Sequence, residues 1–562
     1  MTVVVLFLCV LVSVAAFGLE HKTGVLWEPY LEWKLEYSDQ KLNEYDIHAT
    51  AVFKHGDGQI LRSPIFFSGE GDIWKFRFTG IRLGKWEITT EGPGSLGNQT
   101  GKVIVEPNPN KNAHGFVKAF GQKWGWSGTR EAFVPQLAMG KPPSAFWKEG
   151  KVDTAAIDAY VHEFITGHGF TGFHLEGRAY WFGIDQTLTM TKDRKPLPEE
   201  KHGFDLRTFS VFEEIIQRTY KAGGMCHIWL WGSDNSGSSK SGPWGIGGHS
   251  GPTAKRLMRY IAARLGPLPG WSMGYGFDLD RWVHDPDGRW VKNPDVLPEW
   301  HRDFTEALGG WPHILGARAH TCEFKEYPKH DHPPKTIFWS GDYAGYVNFR
   351  PAYGLYVETI DQVPGQPAFQ EDRYRIRESK RFAPKDYLDP NMMVRGLWHS
   401  TMAGGVANIW GNLSEKGNEG GSIPFDKGSI NGAPVRIKTQ IKTYSKFFFE
   451  KKRFRTDLIR DNSLTEFQDV YRLDPNPSDG NYNLCVCLRS EGPRRLKHFI
   501  FFRENCSEIP MDLSHMNGRQ PAVAVDTRKL YHEIKLERLD PKHQVWSAPY
   551  KSDWAIAVGV FE

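Results

Sequence analysis

Between about residues 115 and 450, short apolar runs alternate with longer segments, and this regular alternation limits the folds that the chain can adopt. Three of the longer segments carry apolar residues at helical spacing, and Asp153 is placed to cap the first of them. Strands alternating with helices predict parallel βα units. Eight strands are predicted, at 133–139, 170–175, 226–231, 271–277, 313–319, 336–340, 367–370 and 406–410. Eight such units predict a (β/α)8 TIM barrel.

Polar residues cluster where the predicted strands end. The C-terminal ends of barrel strands form the face that carries the active site of a TIM barrel. The long segments 183–205 and 232–250 are predicted to be loops on that face. The polar residues are His174 and Glu176 after the second strand, Asp234 after the third, Asp278 and Asp280 after the fourth, Asp342 after the sixth and Glu371 after the seventh. We therefore expect the active site among these residues.

Glu371 is the leading catalytic candidate, because the strand at 367–370 stops there and a helical stretch and the last strand follow. The alternative is a surface acid that pairs with one of the nearby arginines, such as Arg373. Hydrolysis of a glycosidic bond needs two carboxyl groups, one on each side of the bond. Strands four and seven supply such a pair in Asp278 and Glu371.

This arrangement resembles the large clan A of retaining glycoside hydrolases, whose catalytic domains are TIM barrels. In that clan the acid/base follows strand four, the nucleophile ends strand seven and an aromatic residue ends strand eight. The resemblance implies that Glu371 is the nucleophile, Asp278 the acid/base and Trp410 the aromatic residue. The chain departs from the clan at strand four, where Phe277-Asp278 stands in place of Asn followed by Glu.

Two further acids are alternatives for the acid/base. Asp280 follows strand four, although it could instead stabilise the N-terminus of a helix, and Glu176 closes strand two. The flat faces of aromatic side chains suit stacking on sugar rings. Substrate contacts are therefore predicted for His174, Glu176, Arg178, Trp231, Asp280, Asp342 and Trp410.

The segment before the barrel reads as a β-sandwich, because short β runs alternate with Gly-rich turns from Gly24 to about Pro107. Its motifs at 27–28, 66–69, 74–78 and 83–86 resemble the immunoglobulin-like domain that commonly precedes glycoside hydrolase barrels. The His-Gly motif that follows such domains is matched at His114-Gly115. We predict an immunoglobulin-like domain over residues 19–110.

After the predicted barrel domain, 111–453, the chain returns to short strands. A second β-sandwich over 454–562 is the simplest fold that accounts for these strands. It resembles the small β domain, labelled collagen-binding, that follows such barrels in related polysaccharide-degrading enzymes. We expect this domain to pack against the barrel at least as much as to bind a ligand.

The first 18 residues form an apolar run that ends in small residues, which predicts a signal peptide and a secreted protein. Asn98, Asn412 and Asn505 begin N-glycosylation sequons. Six cysteines become five once Cys9 is removed with the signal. Cys485 and Cys487 lie on one strand face, so Cys506 is the expected disulfide partner of one of them.

Composition and motifs exclude several other classes of protein. With 70 Lys and Arg against 66 Asp and Glu, the chain lacks the basic excess of a nucleic-acid binder. Its 21 tryptophans suit sugar-binding clefts as well as β-sandwich cores. No serine-hydrolase elbow, phosphate loop or zinc spacing is present, so neither a cofactor nor a metal is expected.

A polar loop with His320, His330 and His332 follows no recognised metal-ligand pattern. The predicted activity is hydrolysis of a polysaccharide or glycan, with a carbohydrate as partner. Two alternatives stay open: a non-catalytic carbohydrate-binding protein on the same barrel, and a polysaccharide lyase. The lyase would use a base such as His174 or a tyrosine near Arg178.

Overall fold

The fold is described from a computed structural model of the 562-residue chain. The described residues are 18–38, 43–110, 113–185, 203–231, 251–276, 282–284, 290–292, 296–319, 336–339, 353, 357, 360–361, 365, 367–374, 390–410, 435–465, 484–490 and 496–561. The chain divides into two compact units. The first holds residues 1–109, 259–267 and 307–311, and the second holds the remainder.

The first unit contains two β-sheets. Its strands are β1 Lys22–Val25, β2 Leu31–Glu36, β3 Thr50–His55, β4 Ile60–Pro64, β5 Phe66–Phe67, β6 Ile73–Phe78, β7 Gly84–Glu91 and β8 Thr100–Glu106. One sheet has the order β1-β8-β7-β3-β4 and the other β2-β6-β5. The predicted β runs therefore form strands, while the resemblance to an immunoglobulin-like domain stays a prediction.

Aromatic side chains join these two sheets. Phe53 of the larger sheet contacts Phe76 and Phe78 of the smaller one, with ring centroids 6.1 and 4.5 Å apart. Phe78 also packs edge-on against Trp86, at 5.3 Å. Strand β7 alternates exposed and buried residues along its length, as expected for a strand with one face on a core.

Beyond residue 110 the elements run, in chain order, β9 Val117–Phe120, β10 Lys123–Trp126, β11 Ala132–Phe133, β12 Gln136–Met139, β13 Trp147–Lys148, β14 Lys151–Val152, α1 Thr154–Val161, β15 Gly172–Glu176, α2 Leu206–Lys221, β16 Met225–Trp229, α3 Pro252–Leu265, β17 Trp271–Gly274, β18 Trp282–His284, β19 Trp290–Lys292, α4 Val296–Ala307, β20 Leu315–Ala319, β21 Thr336–Trp339, β22 Ala368–Tyr374, α5 Pro390–Met402, β23 Ala407–Trp410 and α6 Val435–Ser445. Eight of these strands form a closed barrel in the order β12-β15-β16-β17-β20-β21-β22-β23. Each overlaps one of the eight predicted strands. The predicted TIM barrel is confirmed.

All neighbouring barrel strands are parallel, and the first strand closes the ring by pairing on both sides. Leu137 of β12 is in register with Gly172 of β15 and with Ile409 of β23. At Gly172, where φ is +143°, a Cβ atom would lie 1.7 Å from the carbonyl oxygen of Met225. Glycine therefore allows β15 and β16 to approach each other here.

The three segments predicted to be helical from their apolar spacing contain helices α1, α2 and α3. The Asp153 side chain accepts a hydrogen bond from the amide of Ala156 and caps α1, as expected. Asp205 caps α2 in the same way, through the amide of Arg207. Helix α2 buries one face, which includes Phe209, Phe212 and Ile216.

A small antiparallel sheet, β11-β10-β9, lies at the N-terminal end of the barrel. Trp124 of β10 packs on Phe369 of β22, with ring centroids 5.0 Å apart. Trp124 and Phe369 share one buried apolar cluster with Leu137 and Met225, from β12 and β16. The small sheet thus covers the base of the barrel core.

The C-terminal region forms short strands as predicted, and the expected β-sandwich over 454–562 stays a prediction. Its strands are β24 Leu458–Arg460, β25 Cys485–Ser490, β26 Phe499–Asp512, β27 Gln520–Asp526, β28 Ile534–Leu539 and β29 His543–Val558. In the described residues they form one hydrogen-bonded sheet, in the order β24-β25-β26-β29-β27-β28. The long strands β26 and β29 pass through bulges between Arg503 and Glu508. Bulges bend strands, and Phe501, Ile509 and Trp554 of these two strands lie in one buried apolar core.

Helix α5 is fixed to this sheet by four buried polar side chains, which we call the α5 latch: Arg395, His399, Glu504 and Asp553. Arg395 donates to both carboxylate oxygens of Asp553, at 2.8 and 3.0 Å. The imidazole of His399 hydrogen-bonds the Glu504 carboxylate. Trp398 stacks on Phe502 beside them, at 5.1 Å. Since α5 leads into β23, the sheet helps to position the last barrel strand.

The predicted disulfide is wrong. Cys485, Cys487 and Cys506 are all free and buried. The strand register explains this result, because Cys485 lies opposite Arg503 and Cys506 lies opposite Ser552 on the other neighbouring strand. The Cys506 thiol instead donates to the carbonyl oxygen of Arg503.

Lys123 of β10 is fully buried at the base of the barrel. Its ammonium group donates to the carbonyl oxygen of Gly404 and lies 5.3 Å from the centre of the Phe454 ring. Burial, aided by the nearby Arg460 cation, lowers the pKa of Lys123 to about 7. An unfolded lysine has a pKa of about 10.4. Between these values the unfolded chain binds the extra proton, so this lysine makes stability rise with pH.

Lys123→Met should stabilise the protein at pH 7 and below, by on the order of 2 kcal/mol, because methionine has no charge to desolvate. The gain should shrink as pH rises and vanish near pH 10.4. Urea unfolding at several pH values measures this difference. Lys118→Met, at an exposed site on β9, is the matched control. The same pH dependence in both variants would contradict the prediction.

Candidate active site

The described part of the candidate active site is built on strands β15 and β16. Their register places His174 beside His227 and, one layer nearer the C-terminal ends, Glu176 beside Trp229. Neighbours in a parallel sheet share a face, and side chains on that face recur every second residue. These four residues therefore form two layers on the same side of the two strands.

The lower layer is packed tightly inside the barrel. His174 is fully buried, its Nδ1 lies 3.1 Å from the sulfur of Met139, and its ring packs edge-on against Trp229 at 4.1 Å. His227 hydrogen-bonds the Ser272 hydroxyl at 2.8 Å and faces Phe369 of β22 across the barrel. These contacts give His174 a packing role in the barrel core. Its predicted contact with substrate stays a prediction.

Glu176 of the upper layer and Trp231, two residues after Trp229, supply a carboxyl group and an indole near the strand ends. Glu176, the last residue of β15, is only 8% exposed, so its carboxyl group lies in a largely dehydrated position. Trp231 follows β16 and is fully buried. Among the residues that the structure describes, none accepts a hydrogen bond from its indole N–H. A buried donor without an acceptor is costly, and at the active face of a barrel a bound ligand could supply the acceptor.

Strand β22 does not stop at Gln370, as the sequence suggested, but continues to Tyr374. Gln370 pairs with Asn408 and Arg373 pairs with Ile409, so the register shifts across Glu371 and Asp372. The two acids are therefore extra residues relative to β23, as in a β-bulge. Bulges often lie next to active sites, where they redirect a side chain. Glu371 thus occupies an irregular backbone position near the C-terminal end of strand seven.

Several predicted site residues cannot be placed in this geometry. Asp234, Asp278, Asp280 and Asp342 lie outside the described residues, as do most of the 183–205 segment, the 232–250 segment and the histidine loop at 320–332. For Arg178 and Trp410 the backbone alone is described. Arg178 begins the 3-10 helix Arg178–Trp181, and Trp410 pairs with Tyr374 at the end of β23.

The sequence prediction missed His227 and Trp229. Both lie on the predicted strand 226–231, two and four residues before Trp231. The two-residue period of a strand would have grouped all three on one face. Their contacts with the neighbouring strand could not have been found in this way, because they depend on the register between β15 and β16.

Within the described residues, no set of three or more His, Cys, Asp and Glu side chains has the geometry of a metal site. The same part of the chain contains no helix long and apolar enough to cross a membrane.

Comparisons with known proteins bear on the fold. No family model matches the sequence. No curated protein matches it either. A candidate glycoside hydrolase from Bacteroides vulgatus has a similar structure, with a TM-score of 0.66, 14% identity and coverage of 96% of this chain and 100% of the other. A family 5 glycoside hydrolase from the same organism has a TM-score of 0.54 and 12% identity, with coverage of 80% of this chain and 94% of the other. Another glycoside hydrolase has the same TM-score, identity and coverage of this chain, and 98% of its own chain is covered. At such identities the likeness shows a shared fold.

Trp231→Phe and Trp181→Phe form a matched test of the unsatisfied indole. Both tryptophans are fully buried, but Trp181 donates its N–H to the carbonyl oxygen of Leu230 at 2.9 Å. Both substitutions remove the same volume, and Trp181→Phe also leaves that carbonyl without its donor. Trp181→Phe should therefore cost about 1–3 kcal/mol more in the free energy of unfolding. Equal losses in denaturant titrations would argue that the Trp231 N–H is satisfied in solution.

Proposed function

We propose that this protein is a glycoside hydrolase that cleaves glycosidic bonds in a polysaccharide or glycan with two carboxyl groups. Glu371 is the nucleophile and Asp278 the acid/base in this proposal. The observation that carries it is the acid pair at the register shift near the end of strand seven, in a closed parallel barrel whose fold is shared with glycoside hydrolases. Glu176, buried at the end of strand two, is the alternative acid.

The chemistry divides between the two carboxyl groups. In a retaining reaction, the Glu371 carboxylate attacks the anomeric carbon while the acid protonates the leaving oxygen. Water then hydrolyses the glycosyl-enzyme, and the same acid, now ionised, acts as the base. Aspartate is one methylene shorter than glutamate. A water molecule could therefore fit between Asp278 and Glu371, and an inverting reaction is the alternative outcome.

Other side chains would bind the sugar. The Trp231 indole N–H, at the end of strand three, has no acceptor in the described part of the chain and suits a sugar hydroxyl. Arg178, Asp280, Asp342 and Trp410 are assigned substrate contacts by their positions after strands two, four, six and eight. His174 supports the active face from the layer beneath, because its ring is enclosed by Met139 and Trp229.

The lyase alternative is less well supported, because the buried His174 ring packs among core side chains instead of facing an open site. A lyase leaves an unsaturated sugar end that absorbs ultraviolet light, whereas a hydrolase leaves a reducing end without that absorption. A polysaccharide panel read by both assays distinguishes the two activities. Binding without either product would indicate the non-catalytic carbohydrate-binding protein.

Secretion is part of the proposal. It rests on the apolar segment at residues 1–18 and on the sequons. Asn98 lies exposed on the surface of its unit, which is compatible with an attached glycan.

Glu371→Gln should reduce hydrolysis by at least about a thousandfold, because an amide keeps the shape of the side chain but cannot attack the anomeric carbon. The thermal midpoint should change little. Glu450→Gln, at an exposed site after α6, is the matched control for loss of a carboxylate. Activity of Glu371→Gln within a few-fold of wild type would remove Glu371 from the mechanism.

Asp278→Asn should abolish activity on natural glycosides yet retain cleavage of aryl glycosides with good leaving groups, which need little protonation. Equal loss on both substrates would transfer the acid role to Asp280 or Glu176. NMR of the first-released anomer decides the stereochemistry. Retention corresponds to carboxyl groups about 5–5.5 Å apart and inversion to about 6.5–9.5 Å.

A further inference from the structure

A cleft of about 420 Å³ opens at the opposite end of the barrel from the candidate active site. Three of its lining residues, Val134, Thr171 and Gly223, come just before strands β12, β15 and β16. They therefore mark the N-terminal ends of barrel strands. The volume is within the range of small-molecule sites, roughly 300–1,000 Å³.

The floor of this basal cleft is aromatic. Trp126, Phe133 and Phe448 line it, and each is at most 5% exposed. Trp126 contacts Phe133 and Tyr220, at 5.1 and 6.0 Å between ring centroids. Among the described residues, no hydrogen-bond acceptor is found for the Trp126 indole N–H. A donor on a side chain more than nine-tenths buried is thus left for a ligand oxygen.

The rim carries three cations, two of which are paired with acids. Lys452 bonds Glu131 at 2.7 Å, and Arg455 bonds both carboxylate oxygens of Asp457 at 2.8 and 3.0 Å. The third, Arg130, is exposed and makes no ion pair within the described parts of the chain. Its guanidinium group lies over the Phe120 ring, at 5.1 Å.

The backbone at the rim is also unusual. Arg130 and Lys452 have φ angles of +62° and +50°, a left-handed conformation that non-glycine residues seldom adopt. A π-helix, Lys446–Glu450, supplies Phe448 to the floor. Left-handed non-glycine residues and short π-helical turns are both enriched at functional sites.

We propose that the basal cleft binds a small carboxylate with a flat apolar face. The apolar face lies on the aromatic floor, and the carboxylate accepts hydrogen bonds from the Trp126 indole N–H and the Arg130 guanidinium. Charge-assisted bonds of this kind are the stronger class of hydrogen bond. Two sources fit this chemistry: an acidic sugar such as a uronate, and an aromatic acid. The site is separate from the proposed catalytic residues, so its occupancy can be tested without any assay of hydrolysis.

The test is calorimetric titration of the full chain with D-glucuronate, benzoate and D-glucose. We expect saturable binding of one or both acids and none of glucose. Arg130→Gln should weaken acid binding about tenfold or more, the loss expected for one bond to a charged group. Arg519→Gln, at another exposed arginine, is the matched control and should bind as wild type does. Arg130→Gly, which suits the left-handed backbone, provides a second variant should the glutamine lower the thermal midpoint.

Binding of glucuronate alone supports an acidic sugar as ligand, and binding of benzoate alone supports an aromatic acid. Three results would overturn the proposal. They are no saturable heat with either acid, equal affinity for glucose, or unchanged acid affinity in both Arg130 variants.

Discussion

The hydrogen bonds between the first and last barrel strands are the constraint on which the rest of the second unit depends. Strand β12 pairs with β15 on one side and with β23, more than 260 residues away, on the other. Closure removes both sheet edges, so every barrel strand has its backbone groups paired on both sides. It also brings the C-terminal ends of all eight strands to one face. Residues as distant as Glu176 and Glu371 are therefore drawn to the same end of the barrel.

The last strand of that ring is supported from outside the barrel. The α5 latch holds the helix before β23 against the C-terminal sheet through the buried Arg395–Asp553 ion pair and the His399–Glu504 hydrogen bond. Such pairs contribute little net stability compared with apolar packing, but losing one partner costs about 3–5 kcal/mol because a charge is left buried. The C-terminal sheet therefore acts as a structural support of the barrel.

The two ends of the barrel are specialised in different ways. At the C-terminal end, inward side chains form layers in which His174 and His227 support Glu176 and Trp229. At the N-terminal end, the small sheet and the segment after α6 enclose an aromatic cleft with cations at its rim. Lys123 is buried between the base of the barrel and Phe454. This burial removes water from its ammonium group and lowers its pKa. Within the described residues, the indole N–H groups of Trp231 at one end and Trp126 at the other have no hydrogen-bond acceptor.

The eight barrel strands and the capped start of α1 could be predicted from the sequence alone. Strands buried on both faces are continuous apolar runs, and a cap is a contact between near neighbours. The bulge at Glu371–Asp372, the pairing of the C-terminal strands and the separation of Cys485 from Cys506 could not be predicted, because each depends on register between strands distant in sequence. The grouping of polar residues at one face was predictable from topology. The contacts of His174 and His227, and the burial of Lys123, arise from packing, which no local pattern encodes.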